Sequence, residues 1–172
     1  MTRNELSVNE HDPYYGQYIA KLQPEISLIE GFEQGMETTL QFFNTVPEEK
    51  LQYRYESNKW TIKEVLQHLI DTERIFMYRC FRIARRDNTS LAGFDQNQYI
   101  EPSKANHKSR KELLEEYTIE RKHSIMLLKS FSDDDLKHIG VANQGSMSAR
   151  AAAFTVIGHE LWHIGIIKER YL

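Results

Sequence analysis

Apolar residues recur at steps of three and four positions along several stretches of the chain, the spacing of helices that bury one face. The first such stretch covers residues 24–44. Its apolar positions are Ile29, Phe32, Met36, Leu40 and Phe43. A proline begins the stretch and Val46-Pro47 follows it, and proline is compatible with both the start and the end of a helix. The pattern predicts a helix over residues 24–44.

Three further helices are predicted over residues 61–86, 109–131 and 148–171. The second and third begin with Thr61-Ile62-Lys63-Glu64 and Ser109-Arg110-Lys111-Glu112, which both have the form of a capping box. The inward face of the second helix comprises Val65, His68, Leu69, Thr72, Phe76, Cys80 and Ile83. That of the third includes Leu113, Tyr117, Ile125 and Leu128, and that of the fourth includes Ala152, Val156, His159, His163 and Ile166.

The segments between these helices differ in character. Residues 87–108 form a long crossover that contains Gly93-Phe94-Asp95-Gln96-Asn97-Gln98-Tyr99, and it either covers a site or runs over the surface. Residues 132–145 are predicted to be a polar turn region, and the aromatic-rich residues 11–19 to pack across the bundle. The pattern as a whole predicts an all-α four-helix bundle, with residues 1–172 forming a single domain.

Composition agrees with a helical domain and narrows the function. The chain has 172 residues with only 8 glycines and 4 prolines, which favours helices over a turn-rich β fold. Its net charge of −3 offers no general basis for binding nucleic acid or an anionic membrane. We find neither a secretory signal nor an apolar run of about 20 residues, and we expect a cytoplasmic protein. A single cysteine, Cys80, agrees with a reducing compartment.

Three of the seven histidines lie on predicted inward faces: His68, His159 and His163. Positions four apart on a helix are separated by about 40° around the axis and about 6 Å along it, so His159 and His163 can hold one ion. A lone buried histidine is more often a hydrogen-bonded core residue. Several together leave nitrogens without partners, unless a metal takes one nitrogen from each. The other four, His11, His107, His123 and His138, fall in loops or on exposed faces.

The string His159-Glu160-Leu161-Trp162-His163 has the form HExxH, the zinc motif of many metalloproteases, in which the glutamate is the general base. Such enzymes usually take a third ligand from downstream, where this chain offers no candidate, so we expect the third ligand upstream, at His68. Glu160 is a candidate catalytic base, with a supporting or solvated carboxylate as the alternative. Asp71 and Glu73 either orient ligands or brace helices.

Zn²⁺ or Ni²⁺ on three neutral imidazoles keeps coordination positions free. Water or a thiol can occupy them, and its pKa is lowered there. The site would therefore be open and able to support chemistry.

Several other side chains allow two interpretations. Arg74, Arg79, Arg82, Arg85 and Arg86 are candidates for phosphate binding, but we expect acidic residues to pair with them. Trp60 is interpreted as a hydrophobic staple or core residue. Trp162 lines either a substrate pocket or a subunit interface.

Residues 59–74, from Lys59 to Arg74, together with Gly158-His159-Glu160-Leu161-Trp162-His163, resemble the DinB/YfiT-like superfamily of metalloenzymes. Gly93-Phe94-Asp95-Gln96 and the terminal Lys168-Glu169-Arg170-Tyr171-Leu172 extend the resemblance over most of the chain. It implies a four-helix bundle and one divalent metal ion, with His68, His159 and His163 as ligands by motif position. Relatives include transferases and isomerases that use low-molecular-weight thiols such as bacillithiol or mycothiol, and many others are labelled hydrolases. The family's DNA-damage-inducible name describes regulation and does not imply DNA binding.

The leading hypothesis is a metal-dependent enzyme of stress or detoxification metabolism. One divalent ion, Zn²⁺ or Ni²⁺, activates a small thiol cosubstrate or water, as in a thiol S-transferase or a hydrolase. The alternatives are a noncatalytic metal-binding module, a metallopeptidase and purely structural histidines. The expected partners are a small-molecule substrate and a second copy in a homodimer, with no nucleic acid and no membrane.

Overall fold

Four long helices form the bundle, as the hydrophobic pattern predicts. The computed structural model describes residues 1–172. Its helices are α1 (Pro13–Ile19), α2 (Leu28–Thr45), α3 (Ile62–Ala84), α4 (Asn97–Ser103), α5 (Arg110–Lys129), α6 (Asp133–Lys137) and α7 (Ala149–Arg170), and its strands are β1 (Ile139–Ala142) and β2 (Gly145–Ser148). The bundle consists of α2, α3, α5 and α7. None of the helices combines the length and the apolar character needed to cross a membrane.

Side-chain caps set where the long helices begin. The Thr61 hydroxyl accepts from the Glu64 amide at 3.1 Å, and the Glu64 carboxylate accepts from the Thr61 amide at 2.7 Å. Ser109 and Glu112 form the same box at the start of α5. The predicted starts at 61 and 109 name these capping residues, and α3, α5 and α7 end one or two residues before the predicted ends.

The predicted start of α2 at residue 24 is wrong, because the helix begins at Leu28 with Ser27 as its cap. Residues 24–26 are instead tied to the N-terminal segment, since the amides of Asn4 and Arg3 donate to the carbonyls of Pro24 and Ile26 at 2.9 and 3.0 Å. A carbonyl held by a distant segment is not available to a helical turn.

The polar turn predicted over residues 132–145 also differs from the structure, which places α6 and the β1–β2 hairpin there. The two turn residues, Asn143 and Gln144, both have positive φ, 52° and 67°. Glycine is the usual residue in such a turn, so the pair Asn-Gln is a weak hairpin signal. The crossover is fastened to β1, because the Leu91 amide donates to the Val141 carbonyl at 2.9 Å.

The aromatic segment packs against the bundle through α1. Tyr15, Tyr18 and Ile19 are buried there. A side chain at Gly158 of α7 would place its Cβ 2.3 Å from the Tyr18 carbonyl oxygen. Glycine at this position is therefore what lets α1 approach α7 closely, one residue before His159.

The core is divided into two apolar clusters with a polar layer between them. One cluster contains the N-terminal half of α7 with the C-terminal half of α3, and the other contains the opposite halves. The buried polar side chains of α3 and α7 between these clusters are Gln67, His68, Thr72, Glu73, His159 and Glu160. The half-buried His163 also lies in this layer. The candidate chemistry is thus confined to the middle of the bundle.

Candidate metal centre

The three histidines selected from helical periodicity converge in the structure. α3 supplies His68, and α7 supplies His159 and His163. The Nε2 atom of His159 lies 3.1 Å from Nε2 of His68 and 3.0 Å from Nε2 of His163. All three candidate ligand atoms lie within 4.8 Å of one another. Residues ninety-one positions apart thus face a single point.

The nitrogen arrangement fits one metal ion better than a hydrogen-bonded trio. A neutral imidazole nitrogen either donates or accepts, so the single Nε2 of His159 cannot make a well-formed bond to both neighbours. Ligands about 2.0–2.1 Å from a tetrahedral zinc ion stand roughly 3.4 Å apart. The observed separations of 3.0 and 3.1 Å are only a few tenths of an ångström shorter.

Burial keeps these imidazoles neutral, which is the form that binds a metal. It lowers the pKa of His68 to about 4 from its ordinary 6.5. The pKa values of His159 and His163 lie well below the ordinary range, mainly because of burial and then because of charge repulsion within the cluster. Protons therefore do not compete for these nitrogens near neutral pH.

Aromatic rings surround the three histidines. The ring centroid of Trp60 lies 4.7 Å from that of His68, Tyr18 lies 5.1 Å from His159, and Trp162 lies 4.8 Å from His163. Trp60 packs against an apolar cluster, as interpreted from the sequence, but it also covers a histidine. The Nδ1 atom of His68 lies 3.4 Å from the Thr72 hydroxyl, one helical turn away.

Two cavities border the cluster, of about 200 Å³ and about 300 Å³. Tyr14, Tyr18, Gln96 and His159 line both. Phe94 also lines the smaller cavity, and Asn97 and Trp162 line the larger one. The crossover segment therefore forms part of the cavity walls, and Trp162 faces a pocket, which was one of its two predicted positions.

Comparison with known proteins places this geometry in a family. The model of the DinB superfamily matches residues 32–167, a range that includes all three histidines. The chain belongs to the DinB superfamily. A comparison with curated protein sequences gives no match.

Two solved structures share the DinB fold seen here. YfiT from Bacillus subtilis, described as a probable metal-dependent hydrolase with an unusual four-helix bundle topology, is 18% identical with a TM-score of 0.74. The match covers 87% of this chain and 90% of YfiT. The mycothiol-dependent maleylpyruvate isomerase is 13% identical with a TM-score of 0.64, over 81% of this chain and 60% of that protein. At these identities the likeness establishes the fold.

Glu160, the candidate base, is bound within the core of this DinB protein. Its Oε2 accepts from Arg121 Nη2 at 2.7 Å and from the Tyr117 hydroxyl at 2.6 Å. Arg121 also donates to both carboxylate oxygens of Glu73, at 2.9–3.1 Å. Burial raises the pKa of Glu160, while the Arg121 charge acts in the opposite direction. The carboxylate that makes the motif resemble a protease is thus engaged by α5.

The other charged residues mostly brace helices. Glu73 pairs with Arg121 of α5, as the bracing interpretation predicts, whereas Asp71 accepts from Arg74 of its own helix at 3.0 Å. Arg74, Arg82 and Arg86 pair with acidic residues as expected. For Arg85 and Arg79 that expectation is wrong. The Arg85 guanidinium lies over the Phe131 ring, and Arg79 is buried without an acidic partner.

Sequence reasoning missed Arg121, assigned neither Tyr18 nor Tyr117 to the site, and considered Arg79 only as a candidate for phosphate binding. Arg121 lies four positions after Tyr117, on the predicted inward face of α5, so helical spacing would have revealed it. Tyr18 gave no such signal, because α1 has only 7 residues and its packing depends on the space at Gly158.

Proposed function

We propose that this DinB protein is a metal-dependent enzyme in which His68, His159 and His163 hold one divalent ion, Zn²⁺ or Ni²⁺. The observation that supports this most is the convergence of three neutral imidazoles, two from buried residues and one from a half-buried residue, beside two cavities. When bound, such an ion lowers the pKa of water or a thiol and thereby supplies a nucleophile near neutral pH. The reaction is nucleophilic attack on an electrophile, by a small thiol in a transferase or by water in a hydrolase.

The remaining residues of the site position the ligands and limit access. The Thr72 hydroxyl accepts the Nδ1 proton of His68, which leaves Nε2 free for the ion. Trp60, Tyr18 and Trp162 shield the imidazoles from bulk water. Access is through the two cavities, whose walls include Gln96 of the crossover.

Glu160 is assigned a bracing role, because its carboxylate is bound by Arg121 and Tyr117. A metallopeptidase of the HExxH type needs that carboxylate at the nucleophile. The noncatalytic metal-binding module therefore ranks ahead of the peptidase among the alternatives.

The two structurally similar proteins represent both proposed nucleophiles, water and a small thiol. YfiT is described as a probable metal-dependent hydrolase, and the isomerase is described as mycothiol-dependent. A small thiol cosubstrate and a small electrophilic substrate are the proposed partners. The cytoplasmic location and the homodimer stay predictions from the sequence.

The test is elemental analysis of the purified protein, of His163→Ala and of Glu160→Gln. We expect about one ion per chain in the parent and in Glu160→Gln, and a loss of most of it in His163→Ala. The two variants lie within one turn of α7, so together they separate ligation from general damage to the helix. Unchanged metal content in His163→Ala would refute the ligand assignment.

Turnover is tested with the metal restored. The screen pairs low-molecular-weight thiols with electrophiles and adds esters and amides as substrates for water. Activity that disappears in His163→Ala and persists in Glu160→Gln supports the enzyme. Background rates throughout, with full metal content, favour the noncatalytic module. Peptide cleavage abolished by Glu160→Gln would restore the peptidase.

A further inference from the structure

Arg79 is a buried cation without an acidic partner. Its side chain belongs to α3, and the residue is 2% exposed. The other two well-buried arginines are both neutralised: Arg121 by Glu73 and Glu160, and Arg150 by Glu10 at 2.7 Å. No carboxylate lies within 4.0 Å of Arg79. Burying a charge without a counter-charge costs free energy. Arg79 therefore differs from Arg121 and Arg150 in a way that packing alone does not explain.

Arg79 helps to hold the crossover, but this role uses only part of its hydrogen-bonding capacity. Arg79 Nη2 donates to the Ala92 carbonyl at 2.9 Å, and the guanidinium lies 5.0 Å from the Phe76 ring and 5.8 Å from the Phe94 ring. Its Nη1 atom is buried and has no hydrogen-bond partner. Nη1 of Arg150 and Nε of Arg110 are unpaired as well, but those arginines have acidic partners in Glu10 and Glu48. Arg79 is therefore the buried guanidinium that has neither a counter-charge nor a full set of hydrogen bonds.

The same arginine lines the cavity of about 200 Å³ that His159 borders. The other polar groups on that wall are neutral side chains, among them Thr72, Gln96, Asn143 and Thr155. No aspartate or glutamate lines the cavity, and the buried His159 is neutral. The lining therefore carries one positive charge and no negative charge, beside the histidine cluster.

We propose that this cavity binds the carboxylate of a small-molecule substrate or cosubstrate on Arg79, with the reactive end of that molecule at the histidines. A guanidinium presents parallel N–H donors that match a planar carboxylate. One cation in a small cavity balances a monoanion better than a phosphate dianion. The placement of the reactive end rests on the proposed metal function. The carboxylate site itself rests on Arg79 and its cavity alone.

His68 and Arg79 lie on one face of α3, because eleven residues make slightly more than three full turns. They are about 16 Å apart along the axis, and the long arginine side chain leans back toward the N-terminal end of the helix. Thr72 and Phe76 occupy the turns between them and also line the cavity. A ligand that joins the two ends therefore needs several bonds between its carboxylate and its reactive atom.

The test compares two matched thiols on the zinc-loaded protein, 6-mercaptohexanoate and 6-mercaptohexanol, by isothermal titration calorimetry. We expect the carboxylate to bind about tenfold more tightly than the alcohol, the scale of one hydrogen bond to a charged group. In Arg79→Gln, which retains a donor for the Ala92 carbonyl, we expect the two thiols to bind equally. Arg79→Lys keeps the charge and should keep part of the preference.

Arg85→Gln is the matched control. Arg85 caps the C-terminal end of the same helix, and its substitution by glutamine removes the same positive charge, but it is exposed and lies over the Phe131 ring. This variant should keep the full preference for the carboxylate. A purely structural role for Arg79 would change melting temperature without changing the ratio of the two affinities.

Failure of the carboxylate site can be told apart from failure of the metal site. Metal-free protein is titrated with hexanoate and with hexanamide, neither of which needs an ion. A preference for hexanoate that Arg79→Gln abolishes supports the carboxylate site even if the protein never binds zinc. Equal binding of both members of each pair by the parent protein, or an unchanged preference in Arg79→Gln, overturns the proposal. If Arg79→Gln does not fold, the paired ligands on the parent decide.

Discussion

Two polar clusters share the middle of the bundle, and both are built on α3 and α7. His159 and His163 join His68 in one, while Glu160 joins Glu73 in the other. His159 and Glu160 are consecutive residues, about 100° apart around the helix axis. One helix thus sends adjacent side chains into two different environments.

The difference lies in what the rest of the chain supplies. The carboxylates of Glu73 and Glu160 meet Arg121 and Tyr117 of α5, so this acidic cluster is closed by partners from within the protein. The histidine cluster meets aromatic rings and cavities. Its three Nε2 atoms face one another, and a neutral trio cannot pair all of them in well-formed hydrogen bonds. A closed cluster stabilises the fold, and an open one is available for binding.

Removing Arg121 should have the largest effect. Arg121→Met leaves two carboxylates buried without their counter-charge, and we expect a loss of about 3–5 kcal/mol in the free energy of unfolding. Denaturant titration measures it. The control is Arg74→Met, whose side chain is 43% exposed and pairs with three carboxylates at the surface. We expect it to cost about 1 kcal/mol or less. Similar losses in both variants would contradict the closed, buried cluster.

Acid should weaken the metal-free protein through the histidine cluster. Because burial lowers the folded-state pKa of His68 from 6.5 to about 4, its contribution is fully present above pH 6.5 and is lost as the pH falls toward 4. The total is on the order of 3 kcal/mol.

Chemical denaturation of the metal-free protein across this pH range provides the measurement. His68→Phe should flatten this part of the profile, because the imidazole that must stay neutral is gone. An unchanged acid limb in that variant would show that other groups carry the pH dependence.

Thr72 should matter to metal binding and little to stability. Thr72→Val removes the hydroxyl beside Nδ1 of His68, and we expect metal affinity to fall about tenfold. Competition with a coloured chelator measures it. The control is Thr118→Val on α5, where the lost hydroxyl bonds to the Leu114 carbonyl at 2.6 Å. Equal affinities in the two variants would rule out a role for Thr72 in orienting His68.

The bundle was predictable because its signals are local. Apolar spacing of about 3.6 residues reveals helices, and the capping boxes at Thr61 and Ser109 mark two of their starts within one residue. The same periodicity selected His68, His159 and His163, and the structure brings them together. Their role as ligands remains a prediction.

The errors arose where contacts between distant segments override local signals. Hydrogen bonds from the N-terminal residues delay the start of α2 to Leu28. A hairpin forms at Asn143-Gln144 without the glycine that usually reveals one. In the sequence Arg79 is one of several basic residues on α3. Only the tertiary structure shows that it is buried and has no acidic partner.

The sequence by itself determined the inward face of each long helix, because the helical repeat assigns every residue to a face. It placed three imidazoles on the inward faces of α3 and α7 and left the roles of Glu73 and Glu160 open. The tertiary structure decided what each of them meets. Arg121 of α5 engages Glu160, whereas the cavities lie beside His159. The position of a residue on a helix sets only the direction of its side chain. Its chemical role depends on which group from another segment lies in that direction.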